Sequence, residues 1–129
     1  GRDVGCEPES ENEVVVLTAK LEALGCLPLA NFRLLEYTAR RGVDALADFQ
    51  VNPEDAPVCC APVEFELYFE NFESHDHPIG QVALVVCWRF RSDVTRDRRC
   101  LSRYRDGLYQ FQLDERRCWV LVLAETLGC

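Results

Sequence analysis

No stretch of the 129 residues approaches the roughly 20 apolar positions needed to span a bilayer, since Val82 to Val86 and Val120 to Ala124 are each only a strand long. The sequence therefore predicts no membrane insertion. Asn12, Asn31, Asn52 and Asn71 all lack Ser or Thr two residues on, so there is no N-x-S/T sequon and glycans supply no argument. Only two histidines occur, His75 and His77, and no G-x-S-x-G, phosphate loop or H-E-x-x-H is present. A Ser-His or Cys-His mechanism would have to use one of two histidines on an expected loop, so the inventory points away from an enzyme and implies no cofactor. Lysine is nearly absent, with one against thirteen arginines.

Cysteine is abundant. Eight residues, Cys6, Cys26, Cys59, Cys60, Cys87, Cys100, Cys118 and Cys129, are an even number, as a fully paired disulfide framework requires. The gaps between them run 19, 32, 0, 26, 12, 17 and 10 residues, so no pair has the C-x2-4-C spacing of a zinc knuckle and no C-x-x-C supports redox chemistry. The expectation is four structural bridges in a secreted, extracellular protein. Cys59 and Cys60 are expected to bond to different partners, because a ring between neighbours is strained. The start at Gly1-Arg2-Asp3, without Met or an apolar signal region, reads as a processed form or a cloning scar.

Net charge is −8 and uneven: residues 1–80 hold 5 basic and 16 acidic groups, residues 81–129 hold 9 and 6. Overall acidity argues against a nucleic-acid partner, whose phosphates need basic neutralisation. The arginines of the second half, Arg96, Arg98, Arg99, Arg103, Arg105, Arg116 and Arg117, are the candidate partner-binding residues, able to meet an acidic surface. The competing reading is a locally neutralised face, given Asp93, Asp97, Asp106, Asp114 and Glu115 among them.

Ser10-Glu11-Asn12-Glu13 is a capping box, behind which Val14, Leu17, Leu21 and Leu24 recur at helical spacing until Gly25. This predicts a helix over 11–24. Leu29, Phe32, Leu35 and Ala39 extend a helical pattern toward Gly42, so residues 1–50 are expected to be mainly helical. Residues 51–62, with three prolines, read as an irregular connection.

From Val63 the period becomes two. Val63, Phe65, Leu67 and Phe69 alternate with Glu64, Glu66, Tyr68 and Glu70, a half-buried strand whose outer glutamates are expected to pair with Arg89 and Arg91 on the next strand, 81–91. Asp106-Gly107 predicts a type I′ hairpin between 100–105 and 108–113. The last strand is expected over 118–125.

The fold expected is a single α+β domain over 1–129, disulfide-stapled, with one or more N-terminal helices packed on an antiparallel meander of about five strands over 63–125. Glu73-Ser74-His75-Asp76-His77 is the one cluster of metal-ligand residue types, and His75 and His77 could hold zinc or copper. Pro78-Ile79-Gly80 marks the same stretch as a solvated hairpin tip, and no metal is assigned.

The function expected is a secreted non-enzymatic module that binds another extracellular or cell-surface protein as ligand, decoy or receptor-binding domain. A hydrolase inhibitor using loop 51–62 or 71–80 is the first alternative. A carrier of small apolar ligands, its pocket lined by Trp88, Phe65, Phe111 or Trp119, is the second.

Overall fold

A computed structural model describes residues 7–37, 44–74 and 81–126. The first element is the helix predicted: α1 spans Glu11–Ala23, with the Ser10 side chain accepting the Glu13 N–H. Its end is a Schellman motif, in which Gly25 takes φ +70°, its N–H donates to the Glu22 carbonyl, and Cys26 N–H donates to the Leu21 carbonyl at 2.8 Å. Glycine at that position holds the left-handed conformation at no steric cost.

Beyond the helix the expected architecture is overturned. Residues 27–50 do not continue as helix but form two strands, β1 (Ala30–Tyr37) and β2 (Ala45–Gln50). β3 (Val58–Tyr68) begins inside the stretch read as irregular, leaving only its first part, with Pro53 and Pro57, as a connection. There follow α2 (Phe69–Ser74), β4 (Leu84–Arg89), the single turn α3 (Asp93–Arg96), then β5 (Leu101–Arg105), β6 (Leu108–Leu113) and β7 (Arg116–Val122), ending in a 3-10 turn over Leu123–Glu125.

The described strands make one seven-stranded mixed sheet in the order β1-β2-β3-β4-β7-β6-β5. β3 and β4 run parallel, with Glu66 opposite Cys87, and β4 and β7 run parallel, with Val86 opposite Leu121; the remaining pairs are antiparallel. A meander of about five strands does not fit, because two connections leave the hairpin pattern. The segment containing α2 crosses over to make β4 parallel to β3, as a parallel neighbour demands. The chain then passes through α3 to the far edge, and β5, β6 and β7 return inward until β7 docks against β4. The Glu70 carboxylate accepts the backbone N–H groups of Arg91 and Ser92 at 2.9 to 3.0 Å, tying α2 to that second crossing.

Central position explains composition. β4 is covered on both faces, so Leu84, Val85, Val86, Cys87 and Trp88 are all buried, the near-continuous apolar run that a parallel central strand requires. Leu84, Val86 and Trp88 join Val14, Leu17 and Leu21 of α1, Phe49, Phe65 and Leu121 in one core. Val85 and Cys87 join Phe69 and Phe72 of α2, Phe111, Val120 and Val122 in the other. Phe69 stands at the centre of this second core, its ring 5.4 Å from that of Phe111 and 5.5 Å from that of Phe90.

The disulfide framework is also overturned. Cys59, Cys60, Cys87, Cys100 and Cys118 are free thiols, while Cys26 is disulfide-bonded. Cys6 and Cys129 lie outside the described residues. Cys87 and Cys118 are not staples but core residues, each packed as a small apolar side chain among aromatic and aliphatic neighbours. The expected framework of four bridges is therefore replaced, among the described residues, by five free thiols and the bonded Cys26.

The hairpin at Asp106-Gly107 forms, but its turn differs from the type expected. Gly107 has φ +82° whereas Asp106 is not in the left-handed region, and the β5–β6 register shifts between Arg103 and Arg105. A type I′ turn needs positive φ at both positions; here a bulge in β5 takes up the twist instead.

Candidate functional site

The expected solvent-facing glutamates of β3 are buried. Glu64 is 2% exposed and Glu66 is 1% exposed, on the face of the sheet that α2 packs against, with β4 beside them in the sheet. They do not face Arg89 and Arg91; the register sets Glu64 against Val85 and Glu66 against Cys87. Both arginines instead lie over the Tyr68 ring, with guanidinium carbons 5.5 Å and 4.5 Å from its centroid. Glu64 shares a hydrogen bond with Asp44, and burial followed by this carboxyl neighbour pushes its pKa up to about 8. Asp44 also accepts the Phe65 N–H at 3.0 Å, continuing the β2–β3 ladder past its last strand pair. The arrangement is a protonated carboxyl donating to a carboxylate, structural in its contacts.

The arginines converge elsewhere and only in part. Arg96, at the end of α3, and Arg103, on β5, line a polar cleft of about 530 Å³ together with Asp97, Leu101, Tyr109 and Glu125. Within it the Tyr109 hydroxyl donates to Glu125 Oε1 at 2.7 Å. Burial, then the adjacent Glu125 carboxylate, raises the phenol's pKa, so Tyr109 stays a neutral donor. Arg96 bridges Asp93 at 3.3 Å and Asp97 at 3.2 Å, and Arg103 pairs with Asp106. These are solvent-exposed pairs, weak because water and salt screen them, and a better-placed anion can displace them.

The other candidate arginines are dispersed. Arg98 reaches Glu73 of α2. Arg105 crosses to the opposite face and donates to Asn52 and to the Pro28 carbonyl. Arg99 and Arg116 are exposed, and Arg117 is exposed at the rim of a different cleft. Neither Tyr109 nor Glu125 was among the residues singled out by spacing, since sixteen residues separate them and no local pattern joins a mid-strand tyrosine to a glutamate past the last strand.

β5 gives the cleft an edge. It is hydrogen-bonded to β6 and stands last in the described sheet. Gln112 N–H donates to the Cys100 carbonyl at 2.8 Å, which makes Leu101 and Phe111 a non-hydrogen-bonded pair. Antiparallel alternation then turns the backbone N–H and carbonyl of Arg103 outward, away from β6.

The expected apolar pocket does not assemble from its four residues. Phe65 and Trp88 are filled into the core under α1, while Phe111 lies across the sheet in the other core. Trp119 lines a separate cleft of about 320 Å³ with Phe49, Val58, Ala83, Gln110, Arg117 and Cys118. His75 and His77 lie outside the described residues, as does the second half of loop 71–80. Among the described residues no group of three or more His, Cys, Asp or Glu is placed to hold a metal ion, and no helix is long and apolar enough to cross a membrane.

Fold and site together define a mixed-sheet protein with an arginine-rimmed cleft beside an open strand edge. Comparison with protein-family models, curated proteins and solved structures finds no match.

Proposed function

We propose that this protein is a non-enzymatic binding module that takes an extended, acidic segment of a partner protein along the outer edge of β5. The observation that carries this reading is the juxtaposition of an outward-facing Arg103 backbone with a cleft holding Arg96 and Arg103 at its lining and Tyr109 within it. An added strand gains main-chain hydrogen bonds, and alternate side chains enter the flanking cleft. Among the charged groups of the cleft, Arg96 and Arg103 are the ones a carboxylate guest can engage, by exchange with the exposed aspartates that pair with them. Recognition is favoured over nucleophilic chemistry at Tyr109, whose phenol is kept protonated and has its one proton engaged with Glu125.

The test is fluorescence anisotropy with labelled ten-residue peptides of alternating Glu and Val, against a Lys and Val control, at low and moderate salt. Binding of the acidic peptide should weaken with salt and fall at least about tenfold, ~1.4 kcal/mol, in the double charge reversal Arg96→Glu with Arg103→Glu. Arg117→Glu, on the other cleft, should leave it unchanged. Equal binding by the double reversal would overturn the reading and leave the arginines as guards that keep the β5 edge from pairing.

A further inference from the structure

The β2–β3 ladder is interrupted at one point. Ala47 pairs with Ala61 and Phe49 with Val58, so the single residue Asp48 stands opposite two, Cys59 and Cys60. This is a β-bulge. Asp48 Oδ1 accepts the Cys60 N–H at 2.8 Å, satisfying the donor that the bulge removes from the ladder. Cys60 sits at φ +51°, a conformation that non-glycine residues seldom hold. Both side chains are exposed and both thiols are free.

Two neighbouring thiols are poorly suited to bonding each other. Cα atoms across a trans peptide are about 3.8 Å apart, below the ~4.4 Å at which disulfides begin to be relaxed, so a direct S–S bond here is strained and readily reduced. An atom inserted between the sulfurs lengthens the link and removes that conflict. Because no described group of three or more metal-ligand residues includes them, the donor set is the two sulfurs. Asp48 lies between Ala47 and Phe49, both in the core under α1, so alternation places the bulge residues opposite it on the other side of the sheet, where both are exposed.

We propose that Cys59 and Cys60 form a vicinal dithiol site for a soft, thiophilic acceptor bonded by both sulfurs, the chemistry of trivalent organoarsenicals, held on the exposed bulge. With an aryl arsenoxide the reaction balances without an oxidant. Two S–H bonds and the arsenic–oxygen bond break, two As–S bonds form, and both protons leave with the oxygen as one water. Arsenic remains trivalent. Soft thiolate sulfur is the ligand that selects such acceptors.

The experiment uses the whole chain, desalted with its Cys26 disulfide intact, titrated with phenylarsine oxide and followed by native mass spectrometry and thiol counting. The expected result is one phenylarsenic per chain, loss of two titratable thiols, and release by a small dithiol but not by a monothiol. Cys59→Ser and Cys60→Ser should each weaken capture on the order of 100-fold, the advantage of an intramolecular second attachment, with circular dichroism unchanged. Cys100→Ser should bind as the parent does. Tight capture that survives Cys59→Ser, an adduct that consumes a single thiol, or attachment at Cys100 would overturn the proposal.

Discussion

Glu64 on β3 shares its carboxyl proton with Asp44, the residue before β2, buried on the face of the sheet that α2 packs against. The pair makes stability depend on pH in a fixed direction. The Glu64 pKa rises from 4.5 to about 8 on folding, so between those values the native state holds a proton that the unfolded chain has lost. Its contribution is complete below about pH 4.5 and disappears as pH rises through about 8. The urea midpoint should therefore be lower at pH 8.5 than at pH 6.5. Glu64→Gln, which keeps a donor for Asp44 without a charge to bury, should flatten this trend.

Thiol reactivity should divide by depth. Native protein treated with a chromogenic disulfide should lose Cys59 and Cys60 first, both being exposed. Cys118 should react only on unfolding, because burial pushes its pKa up to about 12. Cys87 should behave likewise: burial, then the charges of Glu70, Glu125 and Glu66, raise its pKa well above the usual thiol value. Peptide mapping of the labelled protein checks the order.

Phe69→Ala should be among the most damaging single changes. Its ring touches those of Phe72, Phe90 and Phe111, and it is fully buried. Truncation opens a cavity at the junction of α2 and the sheet, with an expected loss of about 3–5 kcal/mol by denaturant titration. Phe69→Leu should cost clearly less.

Gly107 is held by both backbone and space. It has φ +82°, and a Cβ added there would lie 2.4 Å from Thr126 Cγ2. Gly107→Ala should lose about 1–3 kcal/mol. Adding Thr126→Ser removes the methyl while keeping the hydroxyl that donates to the Leu123 carbonyl, so the double variant should recover part of the loss but not the backbone cost.

Local chemistry was legible where it is self-contained. Ser10, Glu13 and Gly25 bound α1 because capping is settled within one turn, and Asp106-Gly107 placed a hairpin because neighbouring strands are joined by two residues. The stretch 27–50 was misread because Leu29, Phe32 and Leu35 fit a helical spacing as well as a strand, and pairing of β1 with β2 decided between them. The candidate cleft was half legible: the arginines stood out as a class, but which two converge on Tyr109 and Glu125 depends on α3 and β5 meeting beside β6.

The amino-acid sequence by itself determined the strongly local features, the helix ends, the turn glycines and the apolar run that must lie buried in β4. Tertiary structure alone decided strand order and direction, since a crossover through α2 and a return from the far edge are long-range choices made by burying both faces of the sheet. It also decided the fate of polar and reactive side chains. Glu64 reads as a surface charge by alternation, and the cysteines read as bridges by number. A carboxyl becomes a proton-holding core group, and a thiol stays free, only through what the rest of the chain packs against it.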